Sequence, residues 1–130
     1  MTAMLSEKQA SLVEVKQSPL HGRGLYAVVP ISSGAVIGTY PVLILSEADT
    51  ARLKDTRLYH YVFFVDETAE GAMRAAVAFG AISMCNHSTA PSALFSVDAS
   101  EATVTLEAAR AIAAGEEILI DYGDFAAEAV

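Results

Sequence analysis

Two short stretches toward the C-terminal end of this 130-residue chain carry the side chains best suited to chemistry. One is Asn86-His87-Ser88, with Pro91 close behind; the other is Gly115-Glu116-Glu117-Ile118, running through apolar residues to Asp121-Tyr122-Gly123. Amide and imidazole groups hold polar ligands, and a phenol at the tip of a buried strand can be aimed into an enclosed space. Imidazole also serves as metal ligand or general base. His21 and His60 are scattered along the chain, however, and no carboxylate recurs beside them at helical spacing, which argues against a metal site. Cys85 is the only cysteine and adjoins Asn86-His87. Sequence neighbours are not spatial partners, and a lone cysteine more often packs as a small buried hydrophobe than attacks as a nucleophile.

Gly22-Arg23-Gly24-Leu25-Tyr26-Ala27 formally satisfies a dinucleotide fingerprint. That fingerprint works only where the glycines open a helix after a strand. Here the following residues are strand formers, and Pro30 with Ser32-Ser33-Gly34 ends them early, so a tight turn or a loop that lets a ligand approach the backbone remains. Tyr40, Tyr61 and Tyr122 each lie in apolar stretches. Core packing with a satisfied hydroxyl and the lining of a narrow, polar-tipped channel are both open to them.

The elements that must position these groups are short and mostly extended. Leu12 to Lys16 alternates like a half-buried strand and stops at Ser18-Pro19, and Leu25 to Val29 is a strand ended by Pro30. Ala35 to Leu45 is a long β-branched segment in which Pro41 implies a sheet edge or a break in pairing. Ser46-Glu47-Ala48-Asp49 is a capped helix start running to about Leu53. Tyr59 to Val65 reads as a strand, Asp66 to Gly71 as a turn, and Ala75 to Phe79 as strand or buried helix. Ala93 to Val97 and Thr103 to Ala108 are hairpin partners, and Glu117 to Asp121 is a final strand. The fold class is therefore mostly β, with one or two short helices.

Length and composition allow one compact domain, and 53% hydrophobic residues argue against disorder. Met1 to Ser11 reads as a loose leader without the apolar run of a secretory signal, and no apolar run approaches the ~18 residues of a membrane span. A single cysteine excludes an internal disulfide and a cysteine-rich zinc site, and points to a reducing, intracellular compartment. The formal charge of −8 disfavours direct binding to a nucleic-acid backbone and suits either solubility or a basic partner.

In order and spacing, four stretches resemble the SET domain of protein-lysine methyltransferases, over about Leu12 to Phe125. They are Lys16 to Ala27, the Ile31-x-x-Gly34 turn leading to a strand through Tyr40, Phe79-Gly80-Ala81-Ile82 with Asn86 to Pro91, and Ala109 to Asp124. The length and the Tyr61-Val62-Phe63 stretch are similar to the compact viral members of that family. The resemblance implies several small sheets and a knot-like core in which the segment carrying Tyr122 passes beside Asn86-His87. It implies S-adenosylmethionine as cofactor, held by Arg23, Gly24, Leu25, Asn86 and His87, with Tyr122 near the transferred methyl and Phe125 near the adenine. Tyr122 and Tyr61 would be the catalytic phenols, and Tyr40, Tyr61, Phe63 and Ile120 would line the lysine channel; no metal is implied.

The implied substrate is a lysine in a basic protein or peptide, such as a histone-like tail, which places the protein in the cytoplasm or, on chromatin, in the nucleus. Ser92 and Thr89 depart from the family pattern, as do Thr39 before Tyr40 and Ile120 two residues before Tyr122. The Ser92 and Thr39 departures and the short segment 126–130 after Phe125 motivate an alternative, a catalytically weak module that binds peptide or cofactor. The alanine-rich C-terminal residues and the viral resemblance are compatible with a homodimer, and either Asp124 to Val130 or a second subunit would close the channel.

Overall fold

The computed structural model describes residues 12–123. The leader, Phe125 and the tail 126–130 named above lie outside the described residues. Among the described residues, nine strands form two sheets. The first has the order β1(Val13–Gln17), β2(Arg23–Ala27), β9(Glu117–Ile120), β6(Asn86–His87). The second has the order β4(Val62–Glu67), β5(Met73–Ala78), β3(Val36–Ile44), β8(Thr103–Ala108), β7(Ala93–Asp98). All pairings are antiparallel except β6 with β9.

Alternation along the strands decides which residues are buried. On β8 Val104, Leu106 and Ala108 face inward, and on β9 Ile118 and Ile120 do the same. With Leu25, Ile82 and Ile112 they make one core between the sheets. Val104, Leu106, Ile118 and Ile120 are each at most 1% exposed, so each removes a large apolar area from water.

Pro41 sits on the central strand of the larger sheet, not on an edge. β3 pairs with β8 up to Pro41 and with β5 from Val42 onward. The Pro41 carbonyl accepts from the Phe79 amide at 3.0 Å, and its missing N–H falls at the end of the ladder with β5, so only a terminal bond of that ladder is forgone.

The short helix α1(Glu47–Leu53) is capped by Ser46, whose Oγ accepts from the Asp49 amide at 3.1 Å. Thr50 is buried; its hydroxyl donates to the Ser46 carbonyl and accepts from the Ala75 amide, which docks the helix on β5. The residues before β4 are not strand as their composition implies. Arg57–Tyr61 is a short 3-10 helix, and Tyr59 is buried in a second small cluster with Val62 and Ala75. Tertiary burial of Tyr59 overrides the β preference of an aromatic, β-branched run. Ala75 to Ala78, undecided by periodicity, is strand. No helix among the described residues is long and apolar enough to cross a membrane.

Candidate active site

β9 is the element on which the site is built. A turn fixes its start: the Glu116 carboxylate accepts from the Ala113 amide at 3.0 Å and pairs with Arg110, and this pairing holds its carboxyl below the usual carboxylate range. The strand then runs between β2 and β6, placing Glu117 opposite Tyr26 and Leu119 beside Asn86. Successive side chains of a strand point to opposite faces, and on β6 Asn86 is buried and His87 half-buried.

The Asn86 amide nitrogen lies 3.2 Å from the His21 carbonyl, 3.1 Å from the Arg23 carbonyl and 2.8 Å from the Glu117 carboxylate. Two N–H donors thus serve three protein acceptors, and Asn86 holds the loop between β1 and β2 with its amide nitrogen. Gly24 is part of the same junction. A Cβ there would overlap the Glu117 carboxylate and crowd the Asn86 amide, so only glycine lets β2 come this close.

His87 holds the end of the strand. Its Nδ1 accepts from the Tyr122 amide at 3.0 Å, so that nitrogen carries no hydrogen and the ring hydrogen belongs on Nε2. Asp121 Oδ1 lies 3.8 Å from the same Nδ1 but takes the Gly123 amide at 2.9 Å. The shorter bond from Tyr122 governs the imidazole, and the carboxylate contact is not an ion pair in this tautomer. The Tyr122 ring lies against His87 with centroids 5.0 Å apart, and its hydroxyl donates to the Cys85 carbonyl at 2.9 Å. Burial first, then the neighbouring Cys85 and Tyr61, push the Tyr122 phenol up to about 12. Cys85 is fully buried, and burial followed by the nearby Glu117 charge pushes its thiol far above the ordinary value. It is an inert thiol whose carbonyl, not sulfur, serves the site.

These groups open onto a cleft of about 720 Å³ bordered by Leu20, His21, Arg57, Tyr61, His87 and Tyr122. A narrower space of about 80 Å³ adjoins it between Arg23, Tyr61, Met84, Cys85 and Tyr122. Tyr61, at the end of the 3-10 helix, lines both and is 44% exposed.

Of the residues singled out in the sequence, Arg23, Tyr61, Asn86, His87 and Tyr122 come together at this cleft. Gly24 and Leu25 lie on β2 just behind it, with Leu25 wholly in the core. Tyr40, Phe63 and Ile120, expected along a substrate channel, line neither space. The Tyr40 ring packs over Gly38 and Gly80, Phe63 is buried edge-on against Phe95 at 5.2 Å, and Ile120 points into the core. Alternation turns Ile120 inward on β9, while on β4 the neighbours Val62 and Phe63 are both buried, in two different clusters. Arg57 carries no signal in the sequence, Leu20 stands there only inside the Lys16 to Ala27 stretch, and His21 and His60 are weighed there only as metal ligands. All three histidines of the chain border the cleft, although they are scattered in sequence. Glu117 was visible only as part of a turn-and-strand motif; its role depends on contacts with residues far away in the chain. Among the described residues, no group of three or more His, Cys, Asp and Glu side chains is placed to hold a metal ion.

The chain is similar to known proteins in sequence and in fold. The SET-domain family model matches residues 22–123. A histone-lysine N-methyltransferase of Schizosaccharomyces pombe, specific for H3 lysine-37, is 30% identical over 115 residues, covering 88% of this chain and 75% of that protein. A crystal structure of a candidate histone methyltransferase from Plasmodium falciparum shares the fold with a TM-score of 0.67, at 22% identity over 86% of this chain and 93% of that one.

Proposed function

Because this chain belongs to the SET-domain family and is a protein-lysine methyltransferase, we propose that it transfers methyl groups from S-adenosylmethionine to lysine in a basic, histone-like segment. One observation carries the reading. Tyr122, its hydroxyl fixed on the Cys85 carbonyl, lines both the cleft and the narrow space, as Tyr61 does.

The residues present suit the cofactor. A cleft of about 720 Å³ is in the range of small-molecule sites, Leu20 offers an apolar surface for a nucleoside, and Arg57 offers a cation for a carboxylate. When bound, the cofactor supplies an electrophilic sulfonium methyl. The protein's part is then to bring a neutral amine into line with it, a task of positioning more than of acid–base chemistry. A free lysine of pKa ~10.4 must first lose a proton. The aromatic walls at Tyr61 and Tyr122 disfavour the ammonium form and lower that pKa. Tyr122 is not the base: its phenol, pushed up to about 12, stays protonated at neutral pH. Its proton is given to the Cys85 carbonyl, which leaves the oxygen lone pairs to orient the incoming amine. The name of the S. pombe relative and the −8 charge of this chain both support a histone-like, lysine-rich substrate.

Incubation with labelled S-adenosylmethionine and histone H3 tail peptides tests the reading. Wild type should transfer label to lysine, and Tyr122→Phe should lower the rate by roughly a hundredfold, in the range seen when one aligned hydrogen-bonding group is removed from an active site. Cofactor binding in calorimetry without any transfer to basic peptides would overturn the proposed substrate. Absence of cofactor binding would overturn the reading as a whole.

A further inference from the structure

Three donors from three distant segments converge on the Glu117 carboxylate. Ser18 Oγ donates to it at 2.9 and 3.0 Å and Asn86 Nδ2 at 2.8 Å, while the Tyr26 hydroxyl lies 3.3 Å from it and shares its one hydrogen with the Gln17 carbonyl, also at 3.3 Å. Among the described residues no cation is paired with Glu117, so hydrogen bonds alone satisfy this part-buried charge. Ser18 in turn organises the loop that follows it. Its Oγ accepts from the Leu20 amide at 3.0 Å, and its own amide donates to the Gly22 carbonyl at 2.9 Å. Asn86, oriented by Glu117, accepts nothing through its nitrogen but donates to the His21 and Arg23 carbonyls of the same loop. The loop 18–24, taken to include the first two residues of β2, is thus gripped at both ends by one carboxylate, directly at Ser18 and through Asn86 at His21 and Arg23. Leu20, His21 and Arg23 are the loop residues that border the cleft and the narrow space.

We propose that Glu117 is a positioning residue for cofactor binding: its carboxylate sets the shape of the loop 18–24 that walls the cleft, and it touches neither cofactor nor substrate. An acceptor-only group meets all of these donors without either hydroxyl having to turn round and accept. A carboxylate accepts from all three donors, whereas an amide at the same place would turn an N–H₂ toward at least one of them. Shortening the side chain would withdraw both oxygens from Ser18. The proposal rests on the cofactor reading above and predicts where a defect should fall. Loss of the carboxylate should weaken cofactor binding while leaving the Tyr61–Tyr122 side of the site, and therefore the chemical step, in place.

The test is calorimetric titration of wild type, Glu117→Gln and Ser18→Ala with S-adenosylmethionine and with S-adenosylhomocysteine, combined with steady-state kinetics on an H3 tail peptide. For Glu117→Gln the Kd of both ligands should rise about tenfold or more, as loss of hydrogen bonds to a charged group implies, with kcat at saturating cofactor within about threefold of wild type and the peptide KM unchanged. Ser18→Ala should move the same quantities in the same direction, by about threefold. A purely structural role would instead lower kcat in proportion to a loss of folded protein, with KM for the cofactor unmoved; that result overturns the proposal. So does a Kd for Glu117→Gln equal to that of wild type. Should Glu117→Gln fail to fold, Ser18→Ala decides alone, and an unchanged Kd there overturns it. If wild type itself binds neither ligand, the cofactor reading falls and this proposal with it. If wild type binds and the variants bind equally well, only this proposal falls.

Discussion

Tyr122 combines two constraints that determine its chemistry. Its amide is held by His87 and its hydroxyl by the Cys85 carbonyl, so the ring has little freedom to leave the cleft floor. Burial raises its phenol from an ordinary 10.0 to about 12, with Cys85 and Tyr61 adding to the effect. A folded state that holds a proton more tightly than the unfolded chain is stabilised below the unfolded pKa and loses that stability as pH rises from about 10 through about 12. Urea unfolding of wild type should therefore weaken more steeply above about pH 10 than that of Tyr122→Phe, and parallel curves would refute the assignment. For the reaction, the rate should climb from about pH 7 to about pH 9.5 as substrate lysine deprotonates, with no falling limb from Tyr122 in that window. The phenol, the amide and the imidazole were legible as residue types. What Asn86 does was not, because its amide nitrogen is taken up by the His21 and Arg23 carbonyls and by Glu117, and no local pattern announces acceptors that lie 31 to 65 residues away.

At the scale of elements, close approach between segments recurs where the sequence places glycine. Gly80 precedes the short 3-10 helix Ala81–Met84 that leads to Cys85, and a Cβ on it would overlap the Tyr40 ring of β3. The ring is not free to yield, since its hydroxyl end lies over Gly38. The Gly80 backbone is extended, so the cost of a side chain there is steric. Gly80→Ala should destabilise the fold by about 1–3 kcal/mol, read from the shift in urea midpoint, and an unchanged midpoint would show that the ring has another place to go. The strands themselves were readable from alternation and turn residues: the hairpin β7–β8, the capped α1 and the turn before β9 stand where the pattern puts them. The 3-10 helix carrying Tyr61 was not readable. Its aromatic residues carry a strand signature, and only the burial of Tyr59 against Val62 and Ala75 makes a helical turn the better solution.

For the whole molecule, charge and topology matter more than any single contact. With 16 acidic against 8 basic residues, the protein attracts basic peptides over distances of about a Debye length. The KM for a lysine-rich peptide should rise severalfold between about 0.05 and about 0.5 M salt while kcat holds, and a flat profile would remove steering from the account. The larger consequence lies in β9 as the strand between β2 and β6. Ser18 and Glu117 are 99 residues apart in the chain, and Tyr26 and Glu117 are 91 apart. Until that last strand inserts, the loop 18–24 lacks its carboxylate, Asn86 lacks its partner strand and Tyr122 has no floor to stand on. The cleft therefore has no partial form that precedes the closing of the fold, and contacts of such long sequence separation are slow to find. In a refolding experiment, ligand affinity would return with the slowest phase and serve as a clock for the insertion of β9.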